Sequence, residues 1–462
     1  MKSKDRAGAG RSIDMIHGSI WNKLPIFALP VAATSILEQL FNAADLAVVG
    51  RFTGKMGTLS MAAVGANTPV TGLILNLFLG ISLGANVVIA HAVGEGRDDT
   101  VQRAVGTAVL FSFFAGVAVT ILGEIFAPMI LRSMSVPEKV LPLAVLYLRI
   151  YLVGLPVIFL YNFEAAIFRA IGKTQMPLMA LVVSGALNVV LNLIFVIGFK
   201  RTVDGVATAT VIANCVSSAL LFWRLTREQT VIHLARKQLH ADWPTLKRIL
   251  RIGLPAGIQS AVFCVANIVI QSAVNSLGAA VMAGSSAALN LEYLIYACIL
   301  AYGQASTTFV GQNDGAGKPD RCVRVMWLCL IESFIVCGVF MALIWTFAKP
   351  LLGLFNTDPR VIHYGYVKLG LLFSGYFFAI VYEVMSGYLR GFGISLLPAV
   401  LTIFGVCVFR LLWIFLYFPS HHTFRQLMMA YPISFGITMI LMGAALIIRR
   451  PARRRQTELK QV

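Results

Sequence analysis

The segment Leu29-Pro30-Val31-Ala32-Ala33-Thr34-Ser35-Ile36-Leu37-Glu38-Gln39-Leu40-Phe41-Asn42 decides what kind of chain this is, because its outline is written twice. Leu254-Pro255 opens a second apolar run that reaches Asn267, and 12 residues separate Pro from Asn in both copies. Farther along, Phe168-Arg169-Ala170-Ile171-Gly172 followed by Pro177 returns as Leu389-Arg390-Gly391-Phe392-Gly393 followed by Pro398. Arg, Gly and Pro are each displaced by 221 residues, and so is the turn Gly94-Glu95-Gly96-Arg97, which returns as Gly315-Ala316-Gly317-Lys318. Two related apolar halves of this length are the sequence form of a membrane transporter built from repeats.

The composition agrees. Of 462 residues, 58% are hydrophobic and only 13% charged, with a mean hydropathy of +0.80. A soluble domain carries nearer a quarter charged residues, and runs of about 20 apolar residues are long enough to cross a bilayer. The net charge of +18 does not indicate nucleic acid, since Lys and Arg fall between apolar runs rather than on one basic face. Seven cysteines lie scattered, mostly in apolar segments and without a Cys-x-x-Cys pair, so they read as small core residues rather than disulfides or metal ligands. The basic stretch Met1–Arg11 is not followed by a cleavable signal pattern.

The chain is expected to be an all-α integral membrane protein with twelve transmembrane helices in two six-helix pseudo-symmetric lobes. The spans are placed at 22–49, 58–90, 101–126, 139–170, 176–198, 204–224, 247–276, 280–312, 322–347, 361–391, 396–418 and 427–448. They divide the chain into an N-terminal tail (1–21), an N-lobe (22–224), a linker (225–246), a C-lobe (247–448) and a basic C-terminal tail (449–462). Even spans per half relate the lobes by an axis along the membrane normal. Lys and Arg concentrate in the tails, the linker and the loops at Arg97/Arg103, Arg169/Lys173, Lys318/Arg321/Arg324 and Arg390. The opposite side holds fewer, among them Arg51, Lys55, Arg132 and Lys200, so both termini are expected in the cytoplasm.

Ionisable groups within spans usually face the bundle interior. Glu38 and Asp45 lie seven residues apart, about two turns, with Asn42 between them on the same stripe. Pro30 upstream removes a backbone hydrogen bond and makes the helix bendable. A bendable helix with stacked carboxylates suits a site that binds and releases a cation; the plainer reading is a headgroup-level Asp45 and a structural Glu38. Asn188 and Asn192 form an i,i+4 pair in the fifth span, placed to coordinate a cation, to bond the Asp45 carboxylate or to serve as interhelical glue. Asn162, Glu164 and Thr210 complete a polar cluster in the N-lobe. The second half offers Asn267, Glu292, Glu383 and Arg410 as C-lobe contributors, with Glu383 and Arg410 an ion-pair candidate from neighbouring spans; Glu332 has no recognisable partner and is set below them. Arg149 and Arg410 are the arginines placed within spans. His91, at the repeat position of Gln312, reads as a capping or loop residue.

These residues resemble the multidrug and toxic compound extrusion (MATE) family over nearly the whole chain. The resemblance rests on Leu29-Pro30 with Asp45-Leu46-Ala47-Val48-Val49-Gly50-Arg51-Phe52, on Arg169-Ala170-Ile171-Gly172, on Asn188-x-x-x-Asn192, and on Val310-Gly311-Gln312-Asn313-Asp314-Gly315-Ala316-Gly317-Lys318. It implies a two-lobed antiporter that extrudes organic cations against inward H⁺ or Na⁺. In the family's prokaryotic branch, the central carboxylate matches Asp45 and the helix-one proline matches Pro30. The supporting Asn, Asn and Thr match Asn162, Asn188 and Thr210. Two departures stand out: Asn192 where many relatives have Asp, and Glu38 where they often have Gln. Phe263 stands where relatives with a C-lobe site carry Glu.

The function expected is a secondary active multidrug efflux antiporter of the bacterial inner membrane, working as a monomer by alternating access. Its partners are small organic cations and the bilayer, not nucleic acid, and it needs no cofactor beyond a coupling H⁺ or Na⁺, the latter at Asp45. A flippase for a lipid-linked precursor is the alternative, though it calls for more cavity arginines than these spans provide. Catalytic and phosphate-cradling motifs are missing, which argues against an enzyme.

Overall fold

The computed structural model describes residues 12–134, 136–234 and 239–460; the basic residues Lys2, Lys4, Arg6, Arg11, Arg236 and Lys237 of the orientation argument lie outside the described residues. Apolar segments in lipid satisfy their backbone groups internally, and the described chain is helical with no strand. The first half comprises α1 (Lys23–Phe52), α2 (Gly57–Gly94), α3 (Asp98–Ser133), α4 (Leu141–Val153), α5 (Leu155–Ala170), α6 (Gln175–Leu193) and α7 (Val203–Arg227). The second comprises α8 (Trp243–Asn275), α9 (Ala279–Gly315), α10 (Pro319–Thr346), the short α11 (Ala348–Gly353), α12 (Pro359–Gly391), α13 (Leu396–Thr402), α14 (Phe409–Leu412), α15 (Phe424–Arg449) and α16 (Pro451–Lys460).

Among the described residues, eleven helices are long and apolar enough to cross a membrane, and α4 with α5 makes a twelfth, bent by 49°. The bend falls at Gly154-Leu155-Pro156, where Pro156 cannot donate back to the preceding turn. Helix α3 runs so close to this corner that a Cβ on Gly116 would lie 2.5 Å from Pro156 Cα. The eleventh span (Leu396–Ser420) is broken by π-helical turns on either side of α14, which shift its face locally. Outward-pointing Phe114, Ile125, Met129, Ile440 and Ile447 are well exposed, as a lipid-facing surface requires.

Two large apolar cores form among the described residues, and each borrows a helix end from the other half. The opening of α1 (Leu24, Phe27, Ala28, Val31) packs into the core made by α9, α10, α12 and α15, with Phe27 edge-on to Phe309 at 5.7 Å. Reciprocally, Ile249 and Ile252 at the opening of α8 complete the core of α2, α3 and α5. Pro30 leaves the Ile26 carbonyl without its usual donor, and the Thr174 hydroxyl lies 3.5 Å from that oxygen. Asp242 caps α8, accepting from the Thr245 hydroxyl and from its amide at 3.0 Å; these bonds hold its carboxyl below the usual range.

Helices α2 and α8 cross with backbones almost touching. A Cβ on Gly84 would stand 2.2 Å from Ile249 O, and one on Gly80 would stand 2.2 Å from Gly257 N. Gly65, on the same helix, has nothing within 4 Å of its Cβ position. Gly84→Ala is therefore expected to destabilise by about 1–3 kcal/mol through overpacking, whereas Gly65→Ala is neutral or slightly stabilising. Thermal melts of the two variants in detergent give the comparison; equal melting temperatures would remove the crossing from the account.

Candidate functional site

Helix α1 carries Asp45 into a pocket against α6 and α7. Asn188 and Asn192, four residues apart on α6, stack on one face, and α7 brings Thr210 alongside. The Asp45 carboxylate, 7% exposed, accepts from Asn192 Nδ2 at 2.6 Å on Oδ1 and from the Thr210 hydroxyl at 3.1 Å on Oδ2. Asn192 Nδ2 also donates to Asn188 Oδ1 at 3.1 Å, and Asn188 Nδ2 to Thr210 Oγ1 at 3.3 Å. The ring closes on a single carboxylate supported by neutral donors, while Asn192 Oδ1 is buried without a partner.

Other predicted members stand apart. Asn42 is exposed and outside the network; it sits about 60° around the helix from Asp45, enough to miss the contact with α6. Asn162, half-buried, bonds back to Ile158 O at 2.9 Å on its own helix. Glu164 is fully buried and accepts from Ser218 at 3.1 Å on α7. Glu38 is half-buried and makes no hydrogen bond among the described residues; its charged neighbour is Arg169. Arg169 itself ends α5 rather than lying in a loop, and reaches Gln304 across the lobes at 3.3 Å. Lys173 pairs at 2.7 Å with Glu228, so the linker's first acid is buried rather than solvated.

The second half corrects the expected ion pair. Glu383 pairs with Arg390, seven residues along α12, at 3.5 Å, and Arg390 also donates to Gln259 at 2.9 Å. Arg410 instead lies against aromatic faces, bonded to Ser434. Glu292 pairs with Lys368 at 3.2 Å, a partner the sequence reading missed. Glu332 finds the Tyr302 hydroxyl at 3.5 Å, and Asn267 is exposed. Arg149 pairs with Glu124 at 3.4 Å while half of it remains exposed, so it does not serve the interior.

His91 is a cap, of another helix than its own. It is buried rather than a loop residue, with Nε2 2.5 Å from Gly391 O and Nδ1 3.6 Å from Asp314. Gln312 donates to Ala170 O at 2.7 Å. Residues 91 and 312, and likewise 170 and 391, are related by the same 221-residue displacement, so these are one bond made twice across the pseudo-symmetry axis. Thr308 adds a bond to Asn86 at 3.0 Å. Among the described residues, the hydrogen bonds between lobes gather at the end that bears both termini. There Asn313 donates to Met15 O at 3.0 Å and Arg321 reaches Gly18 O at 2.9 Å, both on the stretch before α1, while within the second half Arg455 of α16 forms an ion pair with Asp314 at 3.2 Å.

The comparisons agree with this architecture. The MatE family model matches residues 30–194 and 255–416, one block in each half. The chain is similar to the Bacillus subtilis (strain 168) "Probable multidrug resistance protein YoeA", 27% identical over 92% of each chain. It is also similar to a Shewanella oneidensis "FAD transporter", 28% identical over 68% of this chain and 70% of that one. A solved structure described as the outward-facing conformation of a multidrug resistance MATE family transporter shares the fold with a TM-score of 0.86 and 23% identity, covering 99% of this chain and 100% of that one. The matched blocks and the two-lobed bundle together place the chain in the MatE family, as a multi-pass membrane transporter of small molecules rather than an enzyme.

Proposed function

We propose that the protein is a secondary active efflux antiporter of the bacterial inner membrane, exporting cationic or amphipathic organic compounds in exchange for H⁺. The observation that carries this reading is the Asp45 carboxylate, buried and held by neutral donors from Asn192 and Thr210. A lone buried acid exchanges one charge for none when it takes up a cation, which alters what its lobe attracts. The surrounding oxygens, including the unpartnered Asn192 Oδ1, are donors a hard cation accepts, so Na⁺ fits the chemistry. Asn192 nevertheless points its amide hydrogens at both Asp45 and Asn188, the oxygens a metal ion needs. A proton on Asp45 requires no such rearrangement.

With the termini-bearing end in the cytoplasm, as the Lys/Arg balance favours, the pinned lobes correspond to an outward-open molecule. Protonation of Asp45 from outside removes the charge that holds a cationic substrate and releases it. The lobes then rock, the inter-lobe bonds exchange, and the proton leaves inward. One chain contains both lobes, so a monomer suffices.

The test is export of a fluorescent cationic dye from proteoliposomes under a pH gradient and, separately, under a Na⁺ gradient. Dye movement is expected with the pH gradient alone. Movement with Na⁺ alone would reassign the coupling ion, and movement with neither would remove the antiport reading.

A further inference from the structure

Arg410 is 1% exposed in the middle of the eleventh span, yet no carboxylate among the described residues pairs with it. The lobe's glutamates are engaged elsewhere: Glu383 by Arg390, Glu292 by Lys368, and Glu332 by Tyr302. Nε donates to Ser434 at 2.9 Å, and Nη2 is buried without a partner. The guanidinium lies 4.0 Å from the Tyr431 ring centroid, 4.8 Å from Phe435 and 5.6 Å from Phe263. Ring faces offset part of the cost of burying a cation, but a desolvated charge with an unused donor still favours an anion. Tyr431 and Phe263 are only half-buried, so the covering rings border a less crowded region. In the repeat, position 410 corresponds to 189, adjacent to Asn188, which puts Arg410 at the depth of the Asp45 site in the opposite lobe.

We infer that Arg410 is the anchor for an oxyanion carried by the substrate, a carboxylate, sulfonate or phosphate, and that Tyr431 and Phe263 grip the aromatic body attached to it. The inference rests on the efflux reading and refines it. One lobe presents a carboxylate and the other a guanidinium, so the molecule selects amphiphiles that carry both charges. Planar bidentate pairing with an oxyanion uses the fork of Nη1 and Nη2, which a lysine does not reproduce.

The experiment uses the full-length protein in lipid nanodiscs and two dyes with one ring system: a rhodamine whose carboxyl is esterified, and its free acid, a zwitterion. Fluorescence polarisation gives the affinities. The wild type is expected to bind the free acid more tightly than the ester. Arg410→Gln is expected to lose about tenfold or more for the free acid while ester binding is kept. If Arg410→Gln does not fold, Arg410→Lys carries the test, with the ratio of the two affinities falling several-fold. A wild type without preference for the acid, or a loss shared equally by both dyes in a folded variant, overturns the inference. Gradient-driven transport of the ester, read in parallel, tests the antiport reading separately: its failure leaves the binding ratio intact.

Discussion

Asp45→Asn is expected to reduce gradient-driven export to the level of protein-free vesicles while leaving the protein folded. The substitution is nearly isosteric, and the pocket can absorb it. Thr210 already lies 3.0 Å from Val206 O, so its hydroxyl has another acceptor and its oxygen becomes free to accept from the new amide. The other oxygen keeps its bond from Asn192. The stability change is therefore expected to stay within about 1 kcal/mol, since a charged bond is exchanged for a neutral one and a desolvated charge is removed. What disappears is the only ionisable group in the ring, the one to which the proposed mechanism assigns the coupling proton. Transport of dye in reconstituted vesicles, with a thermal melt of the same preparation, separates the two effects. An Asn variant that exports as fast as the wild type would sink the mechanism.

The second large effect concerns the paired bonds at the termini-bearing end. Alanine at both His91 and Gln312 removes the bonds to Gly391 O and Ala170 O together with the His91–Asp314 contact. Polar contacts of this kind in membranes are worth roughly 0.6–1.7 kcal/mol each, so about 2 kcal/mol is removed from the closed arrangement of that end. The ratio of closed to open populations should fall by roughly thirtyfold. Amide hydrogen exchange over residues 86–92 and 308–314, measured in nanodiscs, reports it as lost protection. His91→Gln alone should resemble the wild type, because glutamine already makes the equivalent bond at 312. If His91→Gln exchanges as fast as the double alanine variant, the carbonyl bond is not what holds the lobes.

The fold was legible because its signals are redundant: long apolar runs and the 221-residue displacement each stand without the other. Asp45, Asn188, Asn192 and Thr210 were also legible, since short polar side chains on apolar helices have few places to go except each other. Failures came where reach or local geometry decided the partner. Glu383 and Arg410 are both long, and sequence order does not reveal that Arg390 lies two turns along the same helix face. The π-helical turns around α14 rotate Arg410 in a way no heptad count contains, and the corner at Gly154 resets the phase of Asn162. Asn42 failed through a rotation of one side chain's width. His91 was legible as a cap from its place near a helix end, but the helix it caps, α12, was not, because its acceptor, Gly391 O, comes from 300 residues away.

The exchanged helix ends bear on how the molecule is made. Synthesis runs from α1 to α15, yet the opening of α1 belongs to a core whose other walls, from α8 to α15, do not yet exist when it enters the bilayer. Its apolar face must wait, sheltered by lipid, until the chain is nearly finished. The first half has the opposite experience: its missing wall, Ile249 and Ile252, arrives directly after the linker. Maturation is thus staggered, with one lobe sealed early by the leading turns of the next and the other completed last, around a helix laid down first.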